Sequence, residues 1–118
     1  MKENVVSDKS FQFAVEIVEL ARRLHADREF VLADQILRSG TSIGANIEEA
    51  IAGQSRKDFI SKMAIASKEA RETRYWLRLL QESETRRESV GPLLLKVEEL
   101  VKLLTSIVKS TSEATRVQ

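Results

Sequence analysis

The chain has 118 residues, with 19 Lys or Arg against 18 Asp or Glu, a formal charge of +1 and 42% hydrophobic residues, which is the profile of one ordinary soluble domain with a modest core. Cysteine is absent, which excludes disulfides, thiolate zinc sites and cysteine nucleophiles and leaves the redox compartment unread. No apolar run approaches the ~20 residues of a membrane span, and the first six residues lack the apolar centre of a signal peptide, so no membrane partner and a cytoplasmic location are expected. With 4 Gly and 1 Pro the chain has few places to turn, which favours long helices over many short strands.

The first helical pattern begins after Ser7 or Ser10, either able to cap backbone N–H groups, and spaces Phe13, Ile17, Leu20 and Leu24 for one face, ending near Asp27. The second opens around Glu29 and carries Ala33, Ile36, Leu37, Gly40, Ile43, Gly44, Ile47, Ala50 and Ile51 at steps of three or four, with Gly53 as its C-terminal cap. Gly40 and Gly44 stand one turn apart and cost roughly 1 kcal/mol each in helix propensity, so close helix approach is expected there. The third begins at Ser55, with Asp58 completing an acidic capping box, and presents Phe59, Met63, Ala66, Ala70, Thr73, Leu77 and Leu80 on one face. It runs to about Glu82. A charged connector from Glu82 to Glu88 precedes Gly91 and Pro92, and Pro is tolerated in a first turn. The fourth helix runs to Lys109 or beyond, and the tail from Ser110 to Gln118 is expected to fray. Helices at about 8–27, 29–53, 55–82 and 90–110, joined by short connectors in one domain spanning 1–118, predict an all-α, up-down-up-down antiparallel four-helix bundle.

Placed on a wheel of about 100° per residue, the third helix shows two unlike flanks beside its core stripe. Arg56, Lys57, Lys68, Arg71, Arg74 and Arg78, with Ile60 and Tyr75, fall on one; Asp58, Glu69 and Glu72, with Ile65 and Trp76, fall on the other. Local ion pairs of ~0.3 to 0.5 kcal/mol each would explain a solvated helix, but not Trp76 and Ile65 pointing away from the core. An acidic flank carrying an aromatic, opposite a basic one, complements the next copy head to tail and predicts a ring, with Ile65, Glu69, Glu72 and Trp76 at the interface. The fourth helix supports self-association, because its apolar residues, Leu103 among them, cover close to half its circumference where about 100° suffices for a surface helix. The alternative is a helix buried more deeply within its own bundle.

Catalytic patterns are weak. His25 is the one histidine and no Glu stands three residues before it, which argues against a di-iron bundle. Near a helix end it reads as a favourable C-terminal charge. Ser106 and Lys109 match Ser-x-x-Lys without companion motifs, and the stretch from Gly53 to Lys57 lacks Walker spacing. No enzyme activity, cofactor or metal is expected.

The run from Gln35 to Ala50 (QILRSGTSIGANIEEA) followed by Ser55 to Leu77 (SRKDFISKMAIASKEARETRYWL) resembles the four-helix bundle family encoded within intervening sequences of bacterial 23S rRNA genes. The likeness covers the second and third helices almost continuously. That family is similar in fold to the accessory variability protein of diversity-generating retroelements, and the resemblance implies a homopentameric barrel with basic surface available to nucleic acid. The family pattern has Ala where Gly40 stands and Gly or Ala near Ala50, departures that touch packing. The number five comes from the resemblance; the wheel argues only for a head-to-tail ring.

Residues 55 to 80 carry seven basic and three acidic groups, net +4, whereas residues 1 to 54 are net −3. Overall charge does not demand a polyanionic partner, but the local excess allows one, and structured RNA, alone or with a protein partner, is the leading expectation for Arg56, Lys57, Lys68, Arg71, Arg74, Tyr75 and Arg78. The competing reading is a protein–protein scaffold or accessory subunit without nucleic-acid contact, its charged flanks consumed by the ring. A helix-turn-helix regulator is weaker, because the helices are too long and no short recognition helix appears.

Overall fold

Apolar residues recurring at three and four steps fold into four α-helices: α1 (Lys2–Ala26), α2 (Phe30–Ala52), α3 (Arg56–Glu82) and α4 (Gly91–Val117). This computed structural model describes residues 2–83 and 90–117, with side chains over 4–83 and 90–114, and most of the charged connector expected from Glu82 to Glu88 lies outside the described residues. α1 packs on α2 and α4, α2 on α3, and α3 on α4, so each helix has two neighbours around a shared core.

The elements begin and end where local chemistry allows, with some differences from the sequence reading. α1 starts at Lys2, so Ser7 and Ser10 lie inside it instead of capping it; Ser10 bonds the Ser7 carbonyl at 3.0 Å and is buried. Its C-terminus closes as a Schellman turn, with Glu29 N–H donating to Leu24 O at 2.9 Å and Arg28 N–H to His25 O at 3.0 Å. Arg28 occupies the left-handed position of that turn, at φ 65°, where glycine is the usual residue. Gly53 does cap α2, donating to Ala50 O at 3.1 Å, but in an extended conformation with φ −64° and not a left-handed one. At the start of α3 the Ser55 hydroxyl accepts from Asp58 N–H at 3.0 Å. Pro92 falls in the first turn of α4, and α4 continues through the expected fraying tail to Val117, with the Thr111 hydroxyl bonding Ile107 O at 2.8 Å.

The core is made by the inner stripes: Phe13, Ile17, Leu20 and Leu24 from α1, Ile36, Ile43 and Ile47 from α2, Met63, Leu77 and Leu80 from α3, and Leu100 and Leu104 from α4 are fully buried. Burying each such side chain contributes about 1.5–3 kcal/mol. The wide apolar arc of α4 is largely absorbed by this core, since Leu93, Leu94, Val97, Val101 and Ile107 are also buried and Leu103 and Val108 pack against it. Leu95 remains 71% exposed.

Cross-helix contacts fix the register. On α1 and α2, Ser7 pairs with Glu48 while Ile17 meets Gly40; on α2 and α3, Glu49 pairs with Lys62 while Arg38 meets Glu72. Along each pair, residue numbers rise on one helix as they fall on the other. The α1–α2 approach depends on glycine: a Cβ at position 40 would lie 2.7 Å from Ile17 Cγ2, inside any real contact.

Candidate nucleic-acid interface

α3 places its two flanks against different neighbours. The acidic flank faces α2. Arg38 reaches across to pair with both Glu69, at 3.3 Å, and Glu72. Ser42 Oγ donates to Glu69 Oε2 at 3.0 Å, and Trp76 Nε1 donates to Glu72 Oε2 at 3.0 Å. Beneath this network the Ser39 and Thr73 hydroxyls share a buried hydrogen bond of 2.9 Å. The charges Glu69 and Glu72 thus have a partner within the chain. Trp76 does not stand clear of the core, as its wheel position implied: it is half-buried and packed against it, because the indole fills the α2–α3 seam with its N–H held by Glu72. Tyr75 meets it edge to face, with ring centroids 5.2 Å apart. Ile65 is 38% exposed.

The structure therefore brings Ile65, Glu69, Glu72 and Trp76 to one seam. Leu103 is not with them. It shares a face of α4 with Lys96, which pairs with Glu16 of α1 at 2.7 Å, so it belongs to the α1–α4 seam on the far side of the bundle.

The basic flank turns the other way. Arg56, Lys57, Lys68, Arg71 and Arg78 are exposed, Arg74 is half-buried toward α4, and Tyr75 is 56% exposed. Lys57, Lys68, Arg74 and Arg78 form no salt bridge with any described residue, and Arg71 spends one N–H on the Thr105 hydroxyl at 3.0 Å. Cations left without carboxylates attract a polyanion, and the nearby tyrosine offers a ring on which an unpaired base can stack.

Two features escaped the sequence reading. Lys102, Thr105 and Lys109 of α4 are exposed, the last two beside Arg71, so the basic surface spans two helices. The α1–α2 side, by contrast, carries exposed apolar side chains, with Phe11 65%, Val15 42% and Leu37 38% exposed. Its signal was present as a second stripe, Phe11, Val15 and Val18, at helical spacing beside the core stripe of α1. Among the described residues no group of three or more His, Cys, Asp or Glu is placed to hold a metal ion, and no helix is long and apolar enough to cross a membrane.

The sequence model of the 23S rRNA-intervening sequence protein family matches residues 2–106. Among solved structures, the chain is similar to a protein of unknown function from the S23 ribosomal protein family of Bacteroides thetaiotaomicron VPI-5482, with 55% identity and a TM-score of 0.86 over 92% of this chain and 99% of that one. No curated protein matches the sequence.

Proposed function

From its place in the 23S rRNA-intervening sequence protein family, to which this chain belongs, we propose that it is a non-enzymatic, up-down-up-down bundle that assembles with copies of itself and binds structured RNA through the basic flank of α3. The pentamer is what the family resemblance implies, and a cytoplasmic location accords with an RNA ligand. The observation that carries the RNA reading is the asymmetry of α3: Glu69 and Glu72 are engaged by Arg38, while Lys57, Lys68, Arg74 and Arg78 form no salt bridge with a described residue. Binding through such a surface releases counterions and falls steeply with salt.

The test is a titration against transcribed rRNA fragments and unrelated RNA over a range of salt. Replacing Arg71 and Arg78 with Glu is expected to weaken binding and flatten its log–log salt slope by roughly 0.7 to 0.9 per lost phosphate contact. Mass is checked alongside, because the same change would break an assembly in which those cations pair with a neighbouring copy. An intact assembly with unchanged affinity and slope removes this flank from the function.

A second reading, a protein–protein scaffold without nucleic-acid contact, draws on the exposed Phe11, Val15 and Leu37. Apolar patches of this kind mark interaction surfaces when they are contiguous. Wild-type protein that binds no RNA at low salt would put the scaffold ahead.

A further inference from the structure

Between α3 and α4 lies a notch of about 300 Å³, lined by Ala64, Ser67 and Arg71 from one helix and Thr105, Val108 and Lys109 from the other. Small Ala64 and Ser67 open the space, two cations wall it, and no carboxylate lines it. The hydroxyl of Thr105 sets the notch apart from the rest of the bundle. A helical threonine ordinarily bonds the carbonyl one turn back, and here Thr41 does so with Leu37 O at 2.6 Å, Thr73 with Glu69 O at 2.8 Å and Thr111 with Ile107 O at 2.8 Å. Thr105 makes no such bond with a described residue. Its oxygen instead accepts from Arg71 Nη2 at 3.0 Å, which leaves its own proton unspent. Ser67 likewise has no hydrogen bond to a described residue.

The geometry points to this notch as a binding site for one phosphodiester of a nucleic-acid backbone, an inference that rests on the nucleic-acid reading above. Thr105 fixes the Arg71 guanidinium over the notch while its other N–H groups stay available, and Arg presents them in a planar fork that matches phosphate oxygens. Lys109 supplies the second positive charge, and the Thr105 and Ser67 hydroxyls donate to the same group. A lone phosphate would need only these residues. Lys68 and Arg78 along α3, which form no salt bridge with a described residue, continue the positive surface beyond the notch and suit a polymer. The notch suits the backbone better than a base, because its lining is cationic and hydroxylic and offers no aromatic face on which a base could stack.

The test uses the full chain and a transcribed hairpin fragment of 23S rRNA, with mass and helicity measured for every variant. Lys109→Ala is expected to weaken binding several-fold and lower the salt slope by roughly 0.7 to 0.9. Thr105→Val, which keeps the volume and removes the hydroxyl, is expected to weaken binding about tenfold, since hydrogen bonds to charged groups are the stronger kind. Thr105→Ser should restore wild-type affinity, a result that a purely structural role for the side-chain methyl would not produce. If Arg78→Glu weakens binding while Lys109→Ala and Thr105→Val leave affinity and slope unchanged, the notch is wrong and the flank reading stands. If the wild-type protein binds no RNA at low salt, both fall. Amide shift mapping of the wild-type protein provides a route independent of the variants: RNA-induced shifts at Ser67, Thr105 and Val108 support the site, and shifts confined to other parts of the surface overturn it.

Discussion

Gly40 packs on Ile17 so closely that the first atom of any side chain would lie 2.7 Å from Ile17 Cγ2 and 3.0 Å from Cγ1. Ile17 is fully buried and branched at Cβ, so it cannot swing aside. Overpacking of this kind costs about 1–3 kcal/mol, against roughly 1 kcal/mol that alanine returns in helix propensity. Gly40→Ala is expected to lower stability by up to about 2 kcal/mol. Gly44→Ala should lie within about 0.5 kcal/mol of wild type, because the nearest atom there is the Ser10 hydroxyl at 3.3 Å. Chemical denaturation at one protein concentration compares the two, since self-association would make midpoints concentration-dependent.

Arg28 carries the left-handed conformation of the α1–α2 turn at φ 65°. A residue with a Cβ is strained there by about 1 kcal/mol, and glycine is not. Arg28→Gly is expected to raise stability by about 0.5 kcal/mol, the relief being partly offset by the freer unfolded chain. A lowered melting temperature would mean that the Arg28 side chain makes a contribution larger than the strain.

The α2–α3 seam holds polar groups in two different environments, and salt should separate them. Arg38→Ala removes a half-exposed cation from Glu69 and Glu72, with an expected loss of about 0.5 to 1 kcal/mol that shrinks toward ~1 M salt. Thr73→Val removes one partner of a buried hydrogen bond to Ser39, with an expected loss of about 1 to 2 kcal/mol that salt leaves unchanged. Denaturation curves at low and high salt check both.

Assembly is tested by light scattering and sedimentation. Trp76→Ala is expected to reduce the mass more than Tyr75→Ala, since buried aromatic anchors commonly cost 2 kcal/mol or more when truncated. Because Trp76 also packs against its own core, the comparison needs a second variant that spares the fold. Ile65→Glu serves: the residue is 38% exposed, so helicity should survive while the mass falls. If Ile65→Glu leaves the mass unchanged and Phe11→Glu reduces it, the contact runs through the α1–α2 face.

The inner stripes of all four helices were legible, because Phe13, Ile17, Met63 and Leu77 recur at the period that puts them on one face. Ser55 was legible as a cap, because capping needs only an acceptor at the right position. The α1 start was misplaced, since Ser7 and Ser10 have the right chemistry for a cap, yet inside a helix such hydroxyls bond the chain's own turn or a neighbouring helix, as Ser10 does with Ser7 O and Ser7 with Glu48. The candidate site was legible only as a flank of α3; its α4 half was not.

What the sequence determined by itself is periodic and local: four helices, their buried faces, and the division of α3 into an acidic and a basic flank. Only the tertiary structure decided what each flank meets. A wheel gives directions around one axis and carries no information about the neighbouring helix, so it could not reveal that Arg38, 31 and 34 residues away, pairs with Glu69 and Glu72. Nor could it bring Thr105 to Arg71 across the α3–α4 seam. Those pairings depend on helix register, which is set by how the core stripes interlock, and they engage Glu69 and Glu72 within the bundle while Lys57, Lys68, Arg74 and Arg78 form no salt bridge with a described residue.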